Sequence, residues 1–302
     1  MKKILKEFQA GVHTFTISQA LTKQQFNTIL NKMYSEGRVI HKEKGREFYT
    51  LLDKQMPGIT VTLYPVRERR TYRVSIKVEP CQVLDSDDPA ALYQYSWKSY
   101  AELRKRCDRY LDGLCIPGKL DAMPISRCDL TCNLVFRHQD YLDAYLRILK
   151  KSSLIPHYQA VQFKKQEKKA KDPMRANQHS YCVRCKQASF LCYDKIDQLK
   201  MIGRCPDGWA DRAILRLEVQ LKRKALKSVL GKRALEYNDA LLKAACGQAA
   251  PLICSYLDRM LPCSGAHLRY EDAATVVQKI KKETRREQML YLLRKMSDAA
   301  TR

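Results

Sequence analysis

Two stretches in the first third of the chain alternate strictly between apolar and polar residues. Ile59, Val61 and Leu63 are separated by Thr60 and Thr62, and Tyr72, Val74, Ile76 and Val78 by Arg73, Ser75 and Lys77. A period of two puts one apolar and one polar face on a β-strand. The charged residues Arg67 to Arg70 between the two runs mark a hairpin turn. The longest alternating run is 125–136, where Leu130, Cys132, Leu134 and Phe136 oppose Arg127, Asp129, Thr131 and Asn133. Further strands are predicted over 12–17 and 214–221, and a second hairpin over 179–195. Helical spacing links Phe26, Ile29, Leu30 and Met33, with Thr22 as N-cap and Gly37 at the end. It links Tyr100, Leu103, Cys107, Tyr110, Leu111 and Leu114 before Pro117-Gly118, and then Leu142, Tyr145, Leu146 and Leu149. A short helix is expected from Asp194-Lys195 to Gly203, and another over Lys222–Leu230, with helical patterning onward to the C-terminus.

This order predicts an α+β fold: an antiparallel β-sheet with helices on one face, followed by a helical C-terminal region. The expected division is 1–230 for the sheet domain and 231–302 for the helical region. No internal repeat stands out, although strand–strand–helix blocks occur twice. The uncovered sheet face is expected to carry Lys77, Arg127, Asp129, Tyr193, Lys195, Arg216, Glu218 and Lys222.

Charge then narrows the partner. Lys and Arg number 56 against 32 Asp and Glu, a net charge of +24. Such a balance favours a polyanion, DNA first and an anionic membrane surface second. Residues 163–175 read as a mobile basic loop, and Lys222–Arg233 and Lys279–Arg286 as phosphate-gripping helices. No run approaches the ~20 apolar residues of a spanning helix. The N-terminus lacks a signal-peptide pattern, so a cytoplasmic protein without a membrane partner is expected. The 12 cysteines then read as free thiols. Cys182-x-x-Cys185 is a weak zinc signal, because alternation sends its two thiols to opposite strand faces.

The polar positions also offer chemistry. A phosphodiester repels nucleophiles, so cleaving it needs charge neutralisation and a positioned attacking group. Asp129 and Glu218 are hard oxygen ligands suited to magnesium or manganese. Tyr193 is a candidate nucleophile, and Lys195, two residues on, could favour its phenolate. Asp129 and Glu218 are equally suited to pairing with neighbouring cations.

Four blocks, in order, resemble the gene II replication proteins of filamentous phages, which are rolling-circle initiators. Val74-Ser75-Ile76-Lys77-Val78-Glu79-Pro80 with Val83-Leu84 is similar to that family's V-E-I-K-A-S-P followed by V-L. Ile125-Ser126-Arg127-Cys128-Asp129-Leu130-Thr131 is similar to its I-S-R-I-D-A-T. Leu191-Cys192-Tyr193-Asp194-Lys195 resembles the strand that holds its nicking tyrosine. Leu215-Arg216-Leu217-Glu218-Val219 with Leu226-Lys227-Ser228 resembles its V-R-F-E-A followed by L-K-S, and Tyr270-Glu271-Asp272-Ala273-Ala274 its Y-D-D-S-A. The resemblance spans about residues 60–280 and extends to related plasmid initiators and relaxases.

The resemblance implies the nickase fold of rolling-circle initiators, with nicking and rejoining at a replication origin through a covalent phosphotyrosine. It makes Tyr193 the nucleophile and Asp129 and Glu218 the metal carboxylates, with host helicase and polymerase as possible partners. Some plasmid initiators carry a tyrosine one strand earlier, so Tyr181 is a reserve nucleophile. Lys77, Arg127, Arg184, Arg216, Lys222, Arg223 and Lys224 are the candidate DNA contacts. The His-x-His strand of many such enzymes is missing among the six histidines, and His13 or His179 is an optional third ligand. The competing reading is a non-catalytic basic DNA-binding protein of a phage or plasmid. It needs the charge but not Tyr193, Asp129 or Glu218.

Overall fold

The computed structural model describes residues 5–43, 47–52, 56–66, 71–152, 154–161 and 179–261, with isolated helical positions at Gln278, Glu283 and Glu287. The basic loop 163–175 and the helix expected over 279–286 lie outside the described residues, apart from Glu283. The chain divides into a compact unit ending at Met260 and a second from Leu261.

The first unit is α+β. Its strands are β1 (Leu5–Leu21), β2 (Arg38–Lys42), β3 (Phe48–Leu52), β4 (Ile59–Val66), β5 (Thr71–Val78), β6 (Ile125–Phe136), β7 (Gln159–Ala160), β8 (Ser180–Arg184), β9 (Ala188–Asp194) and β10 (Ala213–Lys222). Its helices are α1 (Lys23–Glu36), α2 (Pro80–Val83), α3 (Trp97–Gly113), α4 (Gln139–Lys151), α5 (Lys195–Met201), α6 (Arg223–Leu230) and α7 (Asn238–Met260). The strands form one antiparallel sheet in the order β2-β3-β4-β5-β1-β6-β10-β9-β8-β7.

That order repeats itself about the β1–β6 pair. β1 is followed by α1 and then by β2 to β5, which fold back so that β5 returns beside β1. β6 is followed by α4 and then by β7 to β10, with β10 returning beside β6. A short and a long helix follow each set, α2 and α3 after β5, α6 and α7 after β10. The chain is two similarly wound halves joined through their first strands. The two strand–strand–helix blocks of the sequence are parts of these halves.

Local chemistry accounts for the elements. Thr22 accepts from the Gln25 backbone while the Gln25 side chain accepts from the Thr22 backbone, a reciprocal cap for α1. Phe26, Ile29 and Met33 then bury one helical face against the sheet. Asp194 caps α5 by accepting from the backbones of Ile196 and Asp197. α7 covers β1 and β6 with Leu241, Leu242, Ala245, Ala249 and Ile253 buried, so the compact unit runs past residue 230. Among the described residues α7 is the one helix long and apolar enough to cross a membrane; here its apolar side chains meet the sheet.

The expected one-sided covering holds for only part of the sheet. The face bearing Cys132, Leu217 and Phe190 is packed by α7 and α4, with Phe190 stacked on Tyr256 and Phe136 against Tyr145. The opposite face is also covered at one end. There Ile196 and Leu199 of α5 pack with Ala90 and Ile214, against Val135 and Trp209. Burial on this face therefore falls along β10: Arg216 is 0% and Glu218 3% exposed, Gln220 is half-buried and Lys222 is exposed.

Candidate active site

Four adjacent strands bring the polar residues together on that half-covered face. Directly opposed residues in an antiparallel pair point the same way. Tyr193 of β9 opposes Arg216 of β10, which opposes Asn133 of β6. Two residues along, Glu218 opposes Thr131, and two further Gln220 opposes Asp129. The contribution of β1 comes from a bulge. Val12 pairs with Leu130 and Thr14 with Asp129, so His13 is an extra residue without a partner across the ladder. The bulge turns both His13 and Thr14 to the polar face.

Glu218 is the hub. Its Oε2 accepts from the Tyr193 hydroxyl at 3.3 Å and meets His13 Nδ1 at 3.1 Å, while Oε1 accepts from Gln220 Nε2 at 2.6 Å. Burial opposes its charge, but the contacts to His13 and Gln220 and the nearby Arg216 hold its carboxyl well below the usual range. Burial and Arg216 keep His13 below its ordinary value despite Glu218. The pair is therefore an ionised carboxylate receiving a hydrogen bond from a neutral imidazole. Asp129 is clasped by Arg127, Nε to Oδ1 and Nη2 to Oδ2, each at 2.7 Å, and Thr14 donates to Oδ2. Burial and the charge of Glu218 nevertheless push its carboxyl upward.

Tyr193 is half-buried, and burial followed by the Glu218 charge raises its phenol well above the ordinary value, with Arg216 opposing. Lys195 is the first residue of α5 and is buried, with Nζ donating to Gln198 Oε1 at 2.9 Å. Burial, and then the Arg216 cation, bring its ammonium down to about 7. Arg216 donates from Nε to Asn133 Oδ1 at 2.9 Å and from Nη2 to the Ala90 carbonyl at 2.6 Å. Its Nη1 has no acceptor within hydrogen-bonding geometry among the described residues.

The other expected site residues fall into separate places. Tyr181 opposes Cys192, whose side chain alternates with Tyr193, so Tyr181 lies on the other sheet face and outside the cluster. Arg216 is fully buried and organises the site from within; it has no exposed surface to offer DNA. Lys77, Arg184, Lys222, Arg223 and Lys224 are exposed, and Arg127 is half-buried. His179 closes β9 by accepting from the Asp194 backbone and stands apart from the carboxylates. Cys182 and Cys185 are free thiols, one buried and one half-buried.

Among the described residues no three His, Cys, Asp or Glu side chains already converge as a metal set. The donor kinds and protonation states still suit a hard divalent ion: an ionised Glu218, a neutral His13 and Asp129 share one face. Arg127 holds the Asp129 oxygens and would have to yield one of them. Sequence alternation put Asn133 on the Asp129 face but not what it binds, and it could not reveal Thr14, Gln220 or the Ala90 carbonyl as members. Their roles depend on strand neighbours, on the bulge and on the segment crossing the face.

No protein-family model matches this chain, and no curated protein matches it.

Proposed function

We propose that the chain is a rolling-circle-type DNA nickase that cleaves and rejoins a replication origin through a covalent phosphotyrosine. The observation that carries this reading is the Tyr193 hydroxyl on Glu218, on one polar face with Asp129. Glu218 orients the hydroxyl. Lys195, two residues on and brought down to about 7 by burial and Arg216, now donates to Gln198 and would have to turn to the hydroxyl to take up the phenol proton once DNA is bound. The phenolate oxygen attacks the phosphorus, the bond to the leaving sugar oxygen breaks, and that oxygen takes a proton. The product is a phosphotyrosine and a free sugar hydroxyl able to prime synthesis. Magnesium or manganese, held by Glu218, Asp129 and His13, would polarise a phosphate oxygen. Host helicase and polymerase would act on the nicked product.

The test is supercoiled DNA from the protein's own replicon mixed with protein and either metal. Nicked circles carrying covalently bound protein support the reading. Tight, salt-sensitive binding without nicking would leave the non-catalytic DNA-binding protein, which the net charge alone supports.

A further inference from the structure

The two halves of the sheet differ most on the face that carries Tyr193. In the second half that face is closed at one end by α5 and the Ala90 segment. In the first half, α1 covers the opposite face, where Phe26 meets Tyr72. The polar face of β1, β4 and β5 presents half-buried Thr16, Thr60, Thr62 and Ser75. One cross-strand line joins the halves: Lys222, Arg127, Thr16, Lys77 and Thr60 oppose one another on β10, β6, β1, β5 and β4. Its four inter-strand steps, at about 4.8 Å each, span about 19 Å, or about six base pairs of duplex.

Surfaces that hold single strands stack bases on aromatic rings. Among the described residues the line from Lys222 to Thr60 carries no ring; a ring pair of this face, Phe48 and Tyr64 at 6.3 Å, lies on β3 and toward the end of β4. Hydroxyls and cations instead suit phosphate oxygens. Two of the three cations are already poised over carboxylates, Lys77 on Glu79 at 2.7 Å and Arg127 on Asp129, and a phosphate can replace either partner; Lys222 donates to the Lys186 carbonyl.

We propose that the first half is a duplex-binding platform, which seats the double-stranded DNA arm beside the phosphate that Tyr193 attacks. The placement of the arm rests on the nickase reading; the binding itself does not. The experiment therefore uses the Tyr193→Phe protein and measures its affinity for a short labelled duplex and for the matching single strand. The double variant Thr60→Glu/Thr62→Glu is expected to weaken duplex binding about ten-fold, with the single strand changed less than about two-fold. Thr60→Lys/Thr62→Lys is expected to tighten duplex binding several-fold, which keeps the test decisive should the acidic variant misfold. Unchanged duplex affinity in the lysine variant overturns the platform. Equal changes for duplex and single strand also overturn it, in favour of a strand-holding surface. A wild-type protein that forms no covalent adduct, while these affinities shift as expected, sinks the nickase and leaves the platform.

Discussion

The two halves share a winding and differ in what covers their polar face. In the first, β4 and β5 turn hydroxyls and a lysine outward, and each polar group remains in or near water. In the second, β9 and β10 turn Tyr193, Arg216 and Glu218 into the same face, where α5 and residue Ala90 exclude water. On the proposed reading, one architecture would supply an open phosphate surface and a closed reactive site. The difference lies in what crosses the face. Gly11 permits the crossing: a Cβ there would stand 2.5 Å from the Tyr93 carbonyl. Desolvation makes the charges of the second half consequential, because a buried carboxylate and ammonium interact far more strongly than exposed ones.

The sharpest way to separate the halves is chemical. Tyr193→Phe is expected to lower covalent adduct formation by at least about a thousand-fold and to leave DNA affinity within about two-fold. Tyr181→Phe, on the other sheet face, should leave the adduct intact. A gel-shift series beside a denaturing gel checks both. Next in size is stability. Arg216→Ala leaves the buried Asn133 Oδ1 without its donor and the Ala90 carbonyl with Asn133 Nδ2 alone, and should cost about 3 kcal/mol in urea unfolding. Gly11→Ala should cost about 2 kcal/mol by forcing the crossing segment outward. In the first half, Thr22→Ala removes a helix cap and should cost only about 1 kcal/mol.

Lys195 gives the comparison a pH axis. Its folded value, about 7, is below the ordinary lysine value of 10.5. Its contribution to stability is therefore full above the unfolded value and is lost as pH falls through about 7. Lys195→Met should abolish that slope, and thermal unfolding of the two proteins from neutral to alkaline pH measures it.

Much of the frame was legible in the alternation itself. β6 spans the 125–136 run, α1 begins after Thr22 and ends before Gly37, and β5 and β10 match their predicted strands to within a residue. β2 and β3 escaped notice because strands of five residues carry little periodic signal. The polar face of β6 and β10 was readable, since Asp129 and Glu218 alternate with apolar neighbours. Its burial was not: period two reports which face a residue shares, not what lies over it. Arg216, expected at the DNA, sits instead under the Ala90 carbonyl. The resemblance ranked Tyr193 before Tyr181, but only the β8–β9 register shows that the two lie on opposite faces.

The most direct measurement is peptide mapping of the protein–DNA adduct after nuclease trimming. Mass spectrometry should find a nucleotide-bearing phosphate on the peptide that contains Tyr193. A nucleotide on any other residue, or no adduct with magnesium or manganese despite tight DNA binding, would contradict the assignment of this half-buried tyrosine as the nucleophile.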